Sequence, residues 1–184
     1  MEHFYEQLDG WFTYPKLYQM LVDTAVDGGK IAEVGVWKGK SVCYIGVLIK
    51  NSNKNIKVYA IDTWQKMNSE NYHSDDIFED DKLYNTFLKT IEPISDIILP
   101  KRGTSLEVCK QFPDNYFDAV FIDACHDYEC IKEDIINWLP KVKYNGILSG
   151  HDISFPGVAK ATKEILEPKY KINIQEECWW INLK

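Results

Sequence analysis

Residues 30–41, with the sequence KIAEVGVWKGKS, carry the strongest structural signal in this chain. A short apolar segment runs into a G-x-x-x-G turn, and residues 42–49 continue with apolar side chains at helical spacing. Open α/β sheets build nucleotide pockets from a strand, a glycine turn and a helix start. The glycines let a ligand approach the backbone, and the helix start offers unpaired N–H groups. The same pattern is also typical of an ordinary strand–turn–helix connection.

The spacing of this turn narrows the class of ligand. It matches neither the dinucleotide fingerprint G-x-G-x-x-G nor the phosphate loop G-x-x-x-x-G-K-[ST]. This mismatch argues against a ligand that is held by its phosphates. Glu33 places a carboxylate two residues before Gly35, which favours a nucleoside ligand with a cationic tail.

The composition indicates one globular domain that spans residues 1–184. Hydrophobic residues make up 45% of the chain, enough for a substantial core. The formal net charge of −7 argues against a nucleic-acid partner, since such a partner requires a basic face. No apolar run approaches the length of about 20 residues that spans a bilayer, and no signal peptide is recognisable. The five cysteines form no C-x-x-C pair, so we expect free thiols in a cytoplasmic protein.

Hydrophobic periodicity predicts strands that alternate with helices, after an N-terminal helical segment in residues 1–27. This order indicates an α/β, doubly wound, mostly parallel sheet that closes with an antiparallel hairpin. The fourth strand is strongly apolar and is expected at the centre of the sheet. Pro100 is expected to end the third strand, and Asn145-Gly146 to form a turn before the fifth. The predicted strands are 30–34, 56–61, 94–99, 116–122, 147–149, 170–174 and 178–183; the predicted helices are 14–27, 39–50, 105–112, 127–139 and 157–167. Segment 65–82 is interpreted as a long loop or as the start of a helix that continues to about residue 91.

Polar residues follow the predicted strands where a parallel sheet binds its ligands, beyond the carboxyl ends. Asp62 ends the second strand, 27 positions after Gly35, and is placed to accept hydrogen bonds from a ribose diol. Ser105, after the third strand, is placed to border an adenine or, equally, to cap a helix. Asp127 is interpreted as a helix cap.

A second polar group follows the fourth and fifth strands. Asp123, His151 and Asp152 offer oxygen and imidazole ligands that suit Mg²⁺ or Mn²⁺. His126 lies beside them and is a candidate general base near neutral pH. The alternatives are a surface histidine at position 126 and a helix-capping loop at 151–152.

Four motifs together resemble the class I S-adenosylmethionine-dependent methyltransferases, and more narrowly methyltransferase family 24. Macrocin O-methyltransferase and cephalosporin hydroxylase-type proteins are more distant relatives of that group. The resemblance covers roughly residues 28–160. The motifs are EVGVWKGKS at 33–41, IDTW at 61–64, FIDACHDYECIKEDI at 121–135 and NGILSGHDI at 145–153.

The resemblance implies a Rossmann-like, seven-stranded sheet and S-adenosylmethionine as the cofactor. Glu33 and Gly35 would border its methionine part and Asp62 its ribose. The full cofactor-binding set is Glu33, Gly35, Val36, Trp37, Gly39, Ser41, Asp62, Thr63, Trp64, Thr104, Ser105 and Asp123.

The resemblance also implies a divalent metal on Asp123, His151 and Asp152, with His126 and Asp123 in catalysis. Two departures from related sequences matter here. Ala124 and Cys125 stand where relatives often carry glycine and a polar or acidic residue, which leaves His126 as the candidate base. His151 stands where some relatives have glutamate.

The expected reaction is methyl transfer to a hydroxyl oxygen of a small molecule or sugar. The polar and aromatic segment 65–82 is expected to line the acceptor pocket, with Trp64, Tyr72 and Phe78 either stacking on a ring or packing in the core. The alternatives are a methyltransferase for macromolecules and a cofactor-binding module without activity. A nicotinamide oxidoreductase is disfavoured by the turn spacing. Trp179-Trp180 on one strand hints at a homodimer.

Overall fold

The computed structural model describes residues 1–66 and 75–184. Within these residues the chain forms seven strands and six α-helices, in the predicted alternating order. No helix among them is both long and apolar enough to cross a membrane. The strands are β1 (Lys30–Val34), β2 (Lys57–Asp62), β3 (Ile98–Arg102), β4 (Phe117–Ile122), β5 (Val142–Gly150), β6 (Asn173–Gln175) and β7 (Cys178–Asn182). The helices are α1 (Pro15–Thr24), α2 (Lys40–Ser52), α3 (Lys82–Ile91), α4 (Ser105–Cys109), α5 (Tyr128–Trp138) and α6 (Pro156–Leu166).

The strands form one seven-stranded sheet in the order β3-β2-β1-β4-β5-β7-β6. The first five strands pair in parallel, whereas β7 pairs antiparallel with both β5 and β6. The predicted fold class, a Rossmann-like doubly wound sheet with a closing antiparallel hairpin, is therefore confirmed. The strand order reverses between β1 and β4, and the crevice beyond their carboxyl ends is where such sheets bind ligands.

Side chains from alternate positions of the strands build a core on each face of the sheet. Ile31 and Phe121 pack with α1, α2 and α3 on one face, and Val34 and Val120 pack with α5 and α6 on the other. All six residues of β4 are buried, as expected for the central strand. Trp179 is buried and Trp180 is partly buried, so the homodimer remains a prediction.

The predicted bounds of the third strand are wrong. Residue Ile94 lies in a 3-10 turn, and β3 runs from Ile98 to Arg102, so that Pro100 lies inside the strand opposite Ala60. The sheet tolerates this proline because β3 is an edge strand, where one missing N–H donor costs no ladder hydrogen bond.

The predicted turn at Asn145-Gly146 is also wrong, since both residues lie inside β5. Phe117 pairs with Val142 but Ala119 pairs with Ile147, so β5 carries extra residues at this point. Asn145 adopts the left-handed conformation, with φ of 63°, that such an irregularity requires.

The predicted acceptor-side segment 65–82 is described only in part. Residues 67–74, which include Tyr72, lie outside the described residues. Residues Asp75–Ile77 and Glu79–Asp81 form 3-10 turns before α3. The ring of Phe78 lies 6.0 Å from that of Trp37, between centroids.

Gly35 allows the turn after β1 to pack closely against the backbone at the end of β4. Its φ is +87°, and a Cβ atom built there would lie 2.1 Å from the carbonyl oxygen of Asp123. The glycine is therefore required by the neighbouring protein backbone, in addition to any ligand. The turn after β1 and the end of β4 are held together at this contact.

We expect Gly35→Ala to destabilise the fold by about 1–3 kcal/mol more than Gly28→Ala, because only Gly35 meets backbone atoms. Gly28 is a matched control, since its φ is +76° and no atom lies within 4 Å of the place where a Cβ atom would stand. The Gly28 variant should lose about 1–2 kcal/mol from left-handed strain alone. Urea unfolding measures both losses, and equal losses would contradict the packing role of Gly35.

Candidate active site at the carboxyl edge of the sheet

Asp62, the last residue of β2, joins two turns of the sheet edge. Its Oδ2 atom accepts hydrogen bonds from the backbone N–H groups of Val36 and Trp37, both at 2.9 Å. Its Oδ1 atom accepts one from the N–H of Trp64 at 2.8 Å. We call this arrangement of Asp62 and the three amides the Asp62 clamp. It ties the turn after β1 to the turn after β2.

Both turns contain a tryptophan in the left-handed conformation, with φ of 49° at Trp37 and 48° at Trp64. Such residues are strained and persist only where their surroundings hold them. The Trp64 indole N–H also donates to the Trp37 carbonyl at 3.0 Å. The Trp64 ring is buried against Tyr84 and Phe87, so it packs in the core and does not offer a face to a ligand.

The clamp restricts the predicted ribose role of Asp62. A carboxylate has about four acceptor positions, and the three amides occupy most of them. Burial raises the pKa of Asp62 above its usual value, although the hydrogen bonds from Trp64, Trp37 and Val36 oppose this rise. The three bonds leave one acceptor position, at Oδ1, where the sequence predicts contacts with two ribose hydroxyls.

Glu33 is a buried carboxyl group with one oxygen available. Ser41, in the first turn of α2, donates its hydroxyl hydrogen bond to Oε1. The Oε2 atom is buried and has no hydrogen-bond partner among the described residues. Burial raises the pKa of Glu33 to about 8, against the opposing hydrogen bond from Ser41. The Tyr18 hydroxyl lies near enough to favour the carboxylate, but its geometry is not that of a formed hydrogen bond.

The orphaned oxygen of Glu33 fits a cationic group of a ligand, because a buried acceptor without a partner is costly. Ser41 bonds to Glu33, and its predicted contact with the cofactor stays a prediction. Gly39 lies at the start of α2 with φ of +88°, packed against Phe87.

The turn after β3 is held by contacts within the protein. Thr104 is the cap of α4 and forms a reciprocal capping box with Glu107. The hydroxyl of Ser105 donates to Asp134 and accepts from the Trp138 indole N–H at 2.8 Å. The side chains of Thr104 and Ser105, both predicted at the cofactor, therefore have hydrogen-bond partners within the protein.

Two further residues of the strand ends have local roles. Thr63, predicted at the cofactor, bonds to the backbone of Gln65 at 3.2 Å. Asp127 stands at the start of α5, as predicted for a cap, but its side chain makes no capping hydrogen bond.

The predicted catalytic and metal residues lie together at the ends of β4 and β5. Asp152 lies between two imidazoles: its Oδ2 is 2.7 Å from Nε2 of His126, and its Oδ1 is 3.0 Å from Nδ1 of His151. The same Nδ1 atom lies 3.9 Å from Oδ1 of Asp123. The four side chains form one cluster, which we call the Asp–His cluster.

The charges of Asp152 and the two histidines stabilise one another, whereas the charged form of Asp123 is disfavoured. Burial disfavours the charged form of Asp152, but hydrogen bonds from His126 and His151 hold its pKa well below the usual range. The hydrogen bond to Asp152 raises the pKa of His126. Burial lowers the pKa of His151, but Asp152 and Asp123 outweigh it and raise the pKa overall. Burial raises the pKa of Asp123 to about 6.

One set of ligand atoms in this cluster lies close enough together for a divalent cation, and it differs from the predicted set. The predicted set is Asp123, His151 and Asp152. Asp123, His126 and Asp152 form the other set, in which one ligand atom from each residue lies within 4.8 Å of the others. Two carboxylates and one imidazole are a donor set that fits Mg²⁺ or Mn²⁺ in either case.

Two aromatic residues that the sequence did not mark also reach this cluster. The Tyr14 hydroxyl donates to Oδ2 of Asp123 at 3.0 Å, across 109 positions of the chain. The Phe155 ring lies 4.7 Å from that of His126, and 44% of Phe155 is exposed. No motif signals either residue: Tyr14 comes from a distant segment that packs against the sheet, and Phe155 precedes α6 only three positions after Asp152.

Comparison with known proteins matches most of this chain to one domain family. The model of methyltransferase family 24, described as a methyltransferase domain, matches residues 32–153. The uncharacterized protein y4gI of Sinorhizobium fredii (strain NBRC 101917 / NGR234) is 23% identical over 150 residues, which are 82% of this chain. The chain spans only 16% of the length of that relative.

Three solved structures share the fold at low sequence identity. The O-methyltransferase NovP superposes with a TM-score of 0.71 at 13% identity, covering 92% of this chain and 79% of its own. The calicheamicin methyltransferase CalS11 gives 0.64 at 13% identity, with 91% and 76% covered. A caffeoyl-CoA O-methyltransferase homologue from Staphylococcus aureus gives 0.65 at 17% identity, with 97% and 87% covered. At these identities the likeness establishes the fold alone.

Proposed function

The chain belongs to methyltransferase family 24, and we propose that it transfers the methyl group of S-adenosylmethionine to a hydroxyl oxygen of a small molecule or sugar. The observation that carries this proposal is the unpartnered buried Oε2 of Glu33 beside the Asp62 clamp. When bound, the cofactor supplies a methyl group that its sulfonium has already activated. The protein then has to position the two reactants and manage one proton.

Glu33 and Asp62 divide the binding of the cofactor between them. The carboxylate of Glu33 would accept from the cationic amino group of the methionine part, which would provide its missing hydrogen-bond partner. Asp62 would accept from a ribose hydroxyl at Oδ1, while Oδ2 keeps its bonds to Val36 and Trp37. The glycine turn lies between these two contacts, at the switch point of the sheet.

His126 is the group that takes the proton of the acceptor hydroxyl. Its Nε2 atom faces Asp152 at 2.7 Å, so Nε2–H donates there in the neutral imidazole. The lone pair of the neutral ring is then on Nδ1, and Asp152 both orients the ring and strengthens it as a base. The His126 side chain is 42% exposed, which leaves it accessible to an acceptor.

Asp123, His151 and Asp152 would hold Mg²⁺ or Mn²⁺. When bound, the ion would lower the pKa of the acceptor hydroxyl. Nδ1 of His151 supports this set, because it faces both carboxylates and its side chain is only 16% exposed. His126 would then remain free for the proton.

The chemistry around His126 supports a ring-shaped acceptor with a hydroxyl group. The exposed face of Phe155 beside His126 offers an apolar surface on which a sugar or aromatic ring can pack. The structural relatives named O-methyltransferases favour oxygen as the methylated atom, and CalS11 is named a TDP-rhamnose 3'-O-methyltransferase. The net charge of −7 supports a small acceptor over a nucleic acid.

Calorimetry at pH 8 with S-adenosylmethionine and 5′-methylthioadenosine tests the cofactor assignment. The second ligand lacks the amino acid part, so it acts as a matched control for Glu33. We expect the wild type to bind both ligands. Glu33→Gln should bind S-adenosylmethionine about 10- to 100-fold more weakly, the value of one hydrogen bond to a charged group, with 5′-methylthioadenosine unaffected.

Two results would count against that assignment. Absence of S-adenosylmethionine binding by the wild type would remove the cofactor. Equal weakening of both ligands in Glu33→Gln would show that Glu33 supports the turn and does not contact the methionine part.

The roles of the two histidines are separable by Mn²⁺ binding and turnover in matched variants. We expect His151→Gln to weaken Mn²⁺ binding about 10-fold or more, since an imidazole ligand is lost. His126→Gln should keep Mn²⁺ affinity and lose about 10²–10⁴-fold in the rate of methylation of an identified hydroxyl acceptor. The reverse pattern for Mn²⁺ would place His126, and not His151, on the metal.

A wild type that binds S-adenosylmethionine but methylates no acceptor would support the alternative function, a cofactor-binding module without transferase activity.

A further inference from the structure

Tyr14 belongs to the segment before residue 32, outside the region that the family model matches. It precedes α1 at the capping position, but its side chain makes no capping hydrogen bond there. The side chain instead points across the sheet edge to the end of β4, with only 5% of the residue exposed. A segment outside the matched domain therefore reaches the Asp–His cluster.

Tyr14 contacts two of the three proposed metal ligands at once. Its hydroxyl donates to Oδ2 of Asp123 at 3.0 Å, and its ring lies 4.6 Å from the ring of His151. Oδ1 of Asp123 is the oxygen nearer His151, at 3.9 Å from Nδ1. The hydroxyl thus occupies one carboxylate oxygen and leaves the other directed at the cluster.

The Tyr14 ring is itself held on several sides. Phe121 of β4 lies 5.0 Å away, Phe12 lies 4.8 Å away and Tyr18 lies 5.3 Å away, between ring centroids. A buried ring with these neighbours cannot swing without disturbing the core. It is therefore a rigid support for the carboxylate that it contacts.

We propose that Tyr14 is a positioning residue of the acceptor site, which fixes the Asp123 carboxylate and the His151 ring in the orientation that binds a divalent cation. The inference rests on the proposed function, because it concerns the metal set of the same site. Ligating carboxylates are commonly held by a further hydrogen bond, and loss of such a partner weakens metal binding. The alternative is that Tyr14 serves only as a core residue.

Tyr14→Phe separates these two roles, because it keeps the ring and removes the hydroxyl. The matched control is Tyr44→Phe, whose ring packs in the same N-terminal aromatic group, 4.7 Å from Phe12. Among the described residues, the Tyr44 hydroxyl makes no contact with the Asp–His cluster. The readout is Mn²⁺ affinity, measured from the electron paramagnetic resonance signal of free Mn²⁺ without cofactor or acceptor.

We expect Tyr14→Phe to bind Mn²⁺ about 10- to 100-fold more weakly than the wild type, and Tyr44→Phe to bind it equally well. In an Asp123→Ala background, Tyr14→Phe should change Mn²⁺ affinity no further, because the hydroxyl acts through that carboxylate. The melting temperatures of Tyr14→Phe and Tyr44→Phe should agree within a few degrees.

Unchanged Mn²⁺ affinity in Tyr14→Phe would overturn the inference, and so would a wild type that binds no Mn²⁺. An equal loss of affinity in the Asp123→Ala background would also overturn it, since the effect would then not pass through Asp123. Calorimetry with S-adenosylmethionine on the same wild-type sample distinguishes a failure of the Tyr14 inference from a failure of the proposed methyltransferase function. Failure of cofactor binding with normal Mn²⁺ binding would remove the proposed function alone.

Discussion

The geometry of the site depends on one interaction, the acceptance of three backbone N–H groups by the Asp62 carboxylate. The amides belong to two turns that adopt strained conformations at Trp37 and Trp64. A buried amide without a partner costs about 1–3 kcal/mol, so the carboxylate stabilises a backbone that would otherwise be unfavourable. The turn after β1 connects the strand that carries Glu33 to α2, so its conformation sets how the two are placed relative to each other. Gly35 extends the same constraint to β4, because its missing side chain lets the backbone at Asp123 approach.

The carboxyl groups of the site differ in how fully the protein satisfies them, and this difference separates their roles. Asp62 accepts from three backbone amides, which leaves it at most one further hydrogen bond. In Glu33, one carboxyl oxygen accepts from Ser41 and the other is buried without a hydrogen-bond partner, which suits the proposed contact with a cationic group. Asp152 is paired with two imidazoles, and Asp123 with a tyrosine hydroxyl. The proposed cofactor contacts and the Asp–His cluster therefore lie on neighbouring strand ends, and the close approach of Gly35 to the backbone of Asp123 joins them.

Much of this arrangement was predictable from the sequence, because the strongest signals are local. Short apolar segments located β1 and β4 and an alternating one located β2, and the strand-end rule placed Asp62, Asp123 and Asp152 on one edge. The failures have physical reasons. Pro100 and Asn145-Gly146 are turn residues in isolation, but an edge strand tolerates the proline and an irregular strand needs the left-handed asparagine. The contact of Tyr14 with Asp123 could not be predicted from the sequence, since it arises only when α1 packs against the sheet.

Amide hydrogen exchange by nuclear magnetic resonance tests the Asp62 clamp most directly, with the wild type compared to Asp62→Asn. An asparagine cannot accept hydrogen bonds at both side-chain positions, so at least one turn loses its acceptor. We expect exchange at Val36 and Trp37, or at Trp64, to accelerate by about tenfold or more, which corresponds to the loss of one hydrogen bond. The Gly35 amide, bonded to the Ile61 carbonyl at 2.8 Å, serves as the internal reference and should stay protected. Unchanged exchange at all three clamp amides would contradict the role of Asp62 as the support of both turns.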